Sequence, residues 1–482
     1  MVKEKSMTTI RKPKIGLVGM MARPFRGDKE SYFAGDAQVM RDLAESLGFD
    51  LKVIPDGIYT YADAMDGAEI LSRWGADYIL VQSSSFAGGD FIRPFAQLGV
   101  RIGLWAVPEG PPTSEGGLPL NSFTGLNMYN SILRRYLTDY PHPVKWFFGR
   151  PGDPLFEDRF RVTITALRAI INLRSSKIGL IGGVAPGFDN LIVDPRDYEA
   201  RLGIRVKALG LDSVLSKARQ IKDGLALEKK AQSFLQPGVT LAENGRTHLL
   251  ALAKLQIAFE DLVESNDFDA IAISCWPRFQ MEPGVAVCSL VGQLNTLGIV
   301  TSCEGDVPSA TGMLALRYLT NGEVVTLMDL VSVDPSDDSV LLWHCGPTSP
   351  KLAGEGGVRM ESLWLFDDEQ GGQLGLHNDL VLKAGEVTVM GFTPNLDGLL
   401  VMTGEIDPEK PSYKGSRGWL KNIWINGKPV GVGALVEMLV TSGYQHHYPL
   451  VYGDLTGAAI EMGAYLGIPV MEAMAYRDYI RG

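Results

Sequence analysis

The hexapeptide KIGLVG at residues 14–19 returns as KIGLIG at residues 177–182. Each copy is a short β-rich run closed by glycine, and each opens an alternation of short apolar runs with helical patterns. In the first stretch, residues 14–19, 51–54, 78–82 and 102–106 read as strands. Residues 36–47, 62–74 and 91–98 between them read as helices, with Gly48 ending the first. Short strands separated by helices of about 10–15 residues specify a parallel sheet with helices on both faces. After a long helix over residues 156–172 the pattern restarts, with strands at 177–182, 270–274 and 300–303 and helices at 285–297 and 308–318. A repeated opening therefore points to a second βα domain, not to one oversized sheet.

From Val324 the pattern changes. VVTLMDLVSV, SVLLWHCG, DLVLKAGEVTVMGF and GLLVMTGEI are β-rich and joined by Gly, Asp and Pro turns, as in an antiparallel sheet or barrel. Residues 431–440 return to helix. Residues 449–452, 457–466 and 468–471 read as one further strand–helix unit. The boundaries that follow are residues 1–172, 173–323 and 324–482, three domains in a chain of 482 residues, as roughly 150 residues per domain would suggest.

Composition excludes several function classes. Fifty-six acids against 45 Lys and Arg give a net charge of −11, which argues against a general nucleic-acid binder. No apolar run approaches the ~18 residues of a membrane span, and residues 1–14 form a polar, basic tail without a signal core. The four cysteines, Cys275, Cys288, Cys303 and Cys345, form no C-x-x-C pair, so the expectation is a reduced, cytoplasmic protein without structural zinc.

Four motifs carry candidate chemistry. The glycines of the KIGLVG run are spaced G-x-x-G, with Gly16 inside the strand, so they do not match a dinucleotide fingerprint. C-E-G-D-V at residues 303–307 follows a buried strand and precedes a helix. Ligands in open α/β sheets gather at the carboxyl ends of strands. Glu304 and Asp306, flanking Gly305, can converge there on one cation, while Asp306 can equally cap the helix. The pair His446–His447 precedes the strand PLVYGDL, and a mixed carboxylate–imidazole set suits an Mn²⁺-like divalent ion. Adjacent side chains on an extended segment point to opposite faces, so one of the two is expected to be structural. His344 ends the apolar strand SVLLWHCG, and C-W-P-R-F-Q at residues 275–280 follows another strand end; His377 is a weaker candidate.

The segments CWPRFQMEPGVAV, CEGDVPSATGMLAL, LLWHCG and HHYPLVYGDLTGAAIEMGAYLGIPV, in this order and spacing, resemble the L-fucose/L-arabinose isomerase superfamily, most strongly after residue 270. The resemblance implies an α/β fold: two Rossmann-like parallel-sheet domains and a C-terminal mixed, β-barrel-like domain. It also implies an aldose–ketose isomerase working through an ene-diol with a divalent metal, usually Mn²⁺, in a homo-oligomer that is often a hexamer. Carried over, Glu304 and Asp306 fall at the family's carboxylate ligand and base region. His447 matches its C-terminal metal-binding histidine, and His344 a further metal-contacting histidine. A second family carboxylate is expected near the loop of residues 276–280, where this chain has Arg278. Glu282 is the nearest acid and becomes the third candidate for moving the proton, beside Glu304 and Asp306.

Arg278 suggests an anionic substrate, because a guanidinium gains charge-assisted hydrogen bonds from an acidic tip and little from a neutral sugar. Arg23 and Arg26, after the first strand, could act likewise, with Trp276 and His446 completing the substrate contacts. Members of the superfamily act on sulfoquinovose, so its isomerisation to sulfofructose is the concrete expectation. Another keto-sugar enzyme on the same scaffold (epimerase, lyase or transferase) and a non-catalytic sugar binder are the alternatives.

Overall fold

The computed structural model describes residues 10–480 apart from 113, 115, 244, 363, 364 and 366–373. The expected tail before the first strand lies mostly outside them. The chain divides into two compact units, one of residues 11–171 and one built from residue 172 onward together with Ile10.

The first unit is a five-stranded sheet of β1 (Lys14–Met20), β2 (Asp50–Val53), β3 (Tyr78–Ser83), β4 (Arg101–Ala106) and β5 (Lys145–Phe148). All pairs are parallel and the order is β2-β1-β3-β4-β5. β3 and β4 are buried along their whole length, as strands covered by helices on both faces must be. The helix expected over residues 36–47 begins earlier, at Lys29, where the Asp28 carboxylate accepts the Ser31 N–H. The helix expected over residues 91–98 is a 3-10 turn, Gly89–Ile92, followed by one α-turn, Arg93–Ala96; Pro94 cannot donate the backbone bond that would extend the helix through it.

The second unit contains two sheets. β6 (Lys177–Ile181), β7 (Arg205–Leu209), β9 (Ala270–Ile273) and β10 (Val300–Ser302) form a parallel sheet in the order β10-β9-β6-β7. The chain order reverses between β6 and β9, the switch point where such sheets bind ligands. The KIGL repeat has a packing cause. A Cβ on Gly16 in β1 would lie 2.6 Å from the Leu71 side chain, and one on Gly179 in β6 2.7 Å from the Phe268 ring. Glycine at that place in each strand admits an apolar side chain against the backbone.

The other sheet is mixed. β11 (Thr326–Asp334), β12 (Ser339–His344), β15 (Gly385–Phe392), β16 (Leu399–Asp407), β17 (Ser416–Ile425) and β19 (His447–Tyr452) pair antiparallel in the circuit β12-β11-β19-β15-β16-β17, and β12 also pairs with β17. The circuit is thereby closed into a six-stranded barrel. β14 (His377–Val381), β13 (Val358–Glu361) and β8 (Val239–Leu241) extend from β17, and the two-residue β18 (Lys428–Pro429) pairs with it as well. β8 comes from the stretch between β7 and β9, so strand pairing crosses the expected boundary at residues 323/324. One apolar core, running from Ile181 and Phe259 through Leu290 to Met328, Leu400 and Leu450, joins this sheet to the parallel one.

Candidate active site

The loop after β10 is shaped by two consecutive left-handed residues. Glu304 has φ 59° and Gly305 φ 74°. For a side-chain-bearing residue such as Glu304 that conformation costs about 1–2 kcal/mol, and the loop is fixed on both sides. The Gly305 N–H donates to Ile273 O (2.9 Å) and the Ala185 N–H donates to Glu304 O (2.9 Å). A Cβ on Gly305 would lie 2.3 Å from the Gly183 carbonyl oxygen. Only glycine fits there, and the tight packing holds Glu304 in its strained form.

Asp306 both caps and orients. Fully buried at the N-cap of the helix Val307–Leu319, it accepts the Ser309 N–H on Oδ1 (2.8 Å) and meets His447 Nδ1 with Oδ2 (2.7 Å). His447 opens β19, directly opposite Asp329 of β11 in the ladder. Its Nε2 stands 3.4 Å from Glu304 Oε2 and 3.6 Å from Asp329 Oδ1. The His344 ring, at the end of β12, stacks on the His447 ring at 5.5 Å and 17°. His446 Nε2 lies 3.2 Å from the same Glu304 oxygen. His446 sits in a bend before β19, so strand alternation does not separate the two imidazoles and their centroids are 4.1 Å apart.

Two donor sets result, Glu304 with His446 and His447, and Asp329 with His344 and His447; within each, ligand atoms lie within 4.8 Å of one another. Asp329 Oδ1, His344 Nε2 and His447 Nε2 are buried without a hydrogen-bond partner. Buried polar atoms are rarely left so, and imidazole mixed with carboxylate matches the donors of a borderline divalent cation. These residues fit a metal ion. Asp306 lies outside both sets, its oxygens engaged by Ser309 and His447.

Electrostatics agree. Burial pushes the Glu304 carboxyl up, but the His446 hydrogen bond and the three imidazole charges outweigh it and hold the group below its ordinary value. Burial pushes the histidines down, and the carboxylates reverse that: Glu304 raises His446, Asp306 raises His447, and Asp329 brings His344 up to about 9. A field that retains protons on buried imidazoles also favours a cation.

The other expected residues lie outside the two donor sets. Glu282 ion-pairs with Arg219 and Arg278, and Arg278 also with Asp212 (2.8 Å). Trp276 is within 6.1 Å, edge-on, of Phe188, whose ring is 5.3 Å from His446. Trp276 and Phe188 therefore form an aromatic flank leading to Glu304 through His446. Arg23 and Arg26 are exposed on the loop after β1, in the first unit. His377 is buried, with Nδ1 on the Glu361 carbonyl (2.7 Å). Sequence reasoning missed Asp329 and Phe188. A lone carboxylate within the apolar run VVTLMDLVSV was the available signal for Asp329.

A sulfoquinovose isomerase of Priestia megaterium is 30% identical to this chain over 426 residues, covering 86% of this chain and 90% of its own length. The chain belongs to the sulfoquinovose isomerase family. The sulfoquinovose isomerase of Priestia aryabhattai matches to the same extent, and that of Alkalicoccus urumqiensis is 29% identical over 402 residues, covering 83% of this chain and 86% of its own. No protein-family model matches. Among solved structures, a sugar ABC-transport substrate-binding protein of Bordetella parapertussis aligns at 11% identity over 67% of this chain and 84% of that one, with a TM-score of 0.18, too low to carry an argument. No helix among the described residues is long and apolar enough to cross a membrane.

Proposed function

We propose that this sulfoquinovose isomerase family member is a metal-dependent aldose–ketose isomerase that interconverts sulfoquinovose and sulfofructose, within the wider L-fucose/L-arabinose isomerase group. The observation that carries the metal-centred part is the convergence of Glu304 Oε2 and Asp329 Oδ1 on the unpartnered Nε2 of His447, whose other nitrogen is anchored by Asp306. The printed names of the relatives support the substrate.

Isomerisation moves a proton between C1 and C2 through an ene-diol, which needs a base beside an acidic C–H and stabilisation of charge on two oxygens. A divalent cation held by Glu304, Asp329 and His447, Mn²⁺ by the donor mixture, would supply that charge stabilisation. Glu304, kept ionised by its imidazole neighbours, is assigned the proton transfer. Asp306 fixes the His447 tautomer, as outer partners of ligating histidines do. His446 donates to Glu304 from Nε2 and steadies it, and Trp276 with Phe188 borders the sugar. Arg278, next but one to Trp276 in the chain, is the candidate for the sulfonate. The reading extends to a cytoplasmic homo-oligomer, hexameric as in the resembling family.

The test is turnover of sulfoquinovose beside L-fucose and L-arabinose, before and after EDTA, with Mn²⁺, Mg²⁺ and Zn²⁺ restored singly and products followed by NMR in deuterated water. Deuterium at the shuttled carbon and loss with EDTA are expected. Full activity after exhaustive chelation ends the metal reading, and faster turnover of the neutral sugars ends the anionic-substrate reading. Arg278→Ala in the same assay is expected to lower selectivity for the sulfonated sugar.

A further inference from the structure

The two stacked imidazoles of the site are held in opposite tautomers. At His447 the group facing Nδ1 is the Asp306 carboxylate at 2.7 Å, which only accepts, so Nδ1 carries the proton and Nε2 offers a lone pair. At His344 the group facing Nδ1 is the backbone N–H of Cys345 at 2.8 Å, which only donates. The Cys345 thiol, 3.2 Å from the same nitrogen, can add a second donor but imposes no acceptor. His344 Nδ1 is therefore the lone-pair end, and in the neutral ring the proton sits on Nε2. His344 Nε2 is also buried and without a hydrogen-bond partner.

We propose that His344 is not a ligand to the metal but a hydrogen-bond donor from Nε2 to a substrate oxygen, the ion being held by Glu304, Asp329 and His447. Coordination through Nε2 would require a ring with no proton on either nitrogen, because the Cys345 N–H already occupies the other lone pair. A doubly protonated ring would set an Nδ1–H against the Cys345 N–H, and a divalent cation alongside disfavours that second positive charge. The neutral Nε2–H ring satisfies every neighbour. It leaves one buried donor beside the ligand set, where a sugar hydroxyl or carbonyl oxygen would complete it. Asp329, whose carboxylate lies in one donor set with His344 and His447, is then shared between ion and donor.

This inference rests on the metal-isomerase reading, and its test separates the two. Mn²⁺ binding is measured by electron paramagnetic resonance titration on wild type, His447→Leu, His344→Leu and His344→Gln, with circular dichroism as a folding control. Expected are one tight Mn²⁺ per chain in wild type and a loss of affinity of roughly 100-fold or more in His447→Leu. Both His344 variants should bind Mn²⁺ within about threefold of wild type. His344→Gln, which restores an N–H near the Nε2 position, should recover part of the kcat that His344→Leu loses. Loss of Mn²⁺ in both His344 variants as deep as in His447→Leu overturns the donor role and makes His344 a ligand. Failure of wild type to bind Mn²⁺, or any of the other divalent ions, overturns the metal reading instead. Should the His344 variants not fold, long-range ¹H–¹⁵N correlation of histidine-labelled wild type decides. An Nε2–H tautomer for His344 beside Nδ1–H for His447 supports the proposal, and Nδ1–H for His344 refutes it.

Discussion

Replacing Asp306 by alanine removes two interactions of one buried side chain, and their separate magnitudes can be worked out. Loss of the cap to the Ser309 N–H costs about 1 kcal/mol. Leaving the His447 Nδ1–H buried without an acceptor costs a further ~1–3 kcal/mol. The expected sum is about 2–4 kcal/mol of stability in the metal-free protein, read as a lower midpoint in urea at unchanged slope. Metal affinity should fall by a further, separable amount: loss of the partner that orients a ligating histidine costs about 10–100-fold. Asp306→Asn divides the two effects. The amide oxygen can still cap the helix, while the neutral group no longer selects the Nδ1–H tautomer of His447. It should keep most of the stability and lose most of the Mn²⁺ affinity that alanine loses, measured by calorimetric titration. An asparagine variant that binds Mn²⁺ as wild type does would refute the orienting role. A loss well beyond 100-fold would make Asp306 itself a ligand.

Four further outcomes follow from the same structure. Gly305→Ala places a Cβ at φ 74° and 2.3 Å from the Gly183 carbonyl, so destabilisation of at least ~2 kcal/mol is expected by thermal or denaturant unfolding; an unchanged midpoint would contradict the pinned loop. Asp329→Asn should weaken Mn²⁺ binding without weakening the fold comparably, checked by titration beside unfolding, because Asp329 Oδ1 has no protein hydrogen-bond partner to lose. Phe188→Ala should raise KM for sulfoquinovose roughly tenfold, the worth of about 1.4 kcal/mol of aromatic contact, and leave Mn²⁺ affinity unchanged. Burial lowers the pKa of His377 despite its bond to Glu361. Its folded-state value is below the unfolded one, so it contributes stability that is present above pH 6.5 and lost as pH falls below it. Stability measured between pH 7.5 and 5 should decline less steeply in His377→Gln than in wild type.

The elements most legible in the sequence were those whose pattern is local. The buried strands β3 and β4 are short apolar runs, and the helix Tyr61–Trp74 matches the helical pattern over residues 62–74. β7, RVKAL, is partly exposed and mixed in polarity, so no apolar period marks it. β17 has Arg, Lys and Asn interspersed among its apolar residues and gains its meaning only by closing the barrel between β12 and β16. The site divides the same way. Glu304 and Asp306 stand out because a strand end, a glycine and a helix start are adjacent in sequence. Asp329 becomes visible only through the register that sets it across from His447, a pairing between residues 118 positions apart that no local rule contains. The helix-cap reading of Asp306 and its part in the site are both present, since its two oxygens serve different partners.

Val239–Leu241 adds a strand from the parallel-sheet region to the edge of the barrel-bearing sheet, and the apolar core runs beneath both. Glu304 comes from one of these sheets and Asp329 with His447 from the other. The two therefore do not behave as interchangeable modules. A chimera with a relative joined near residue 323 would exchange half of the site, one side of the β8–β13 pairing and half of a shared interior at once. Recombination that keeps Glu304, Asp329 and His447 together requires everything from residue 172 onward to be transferred as a single block.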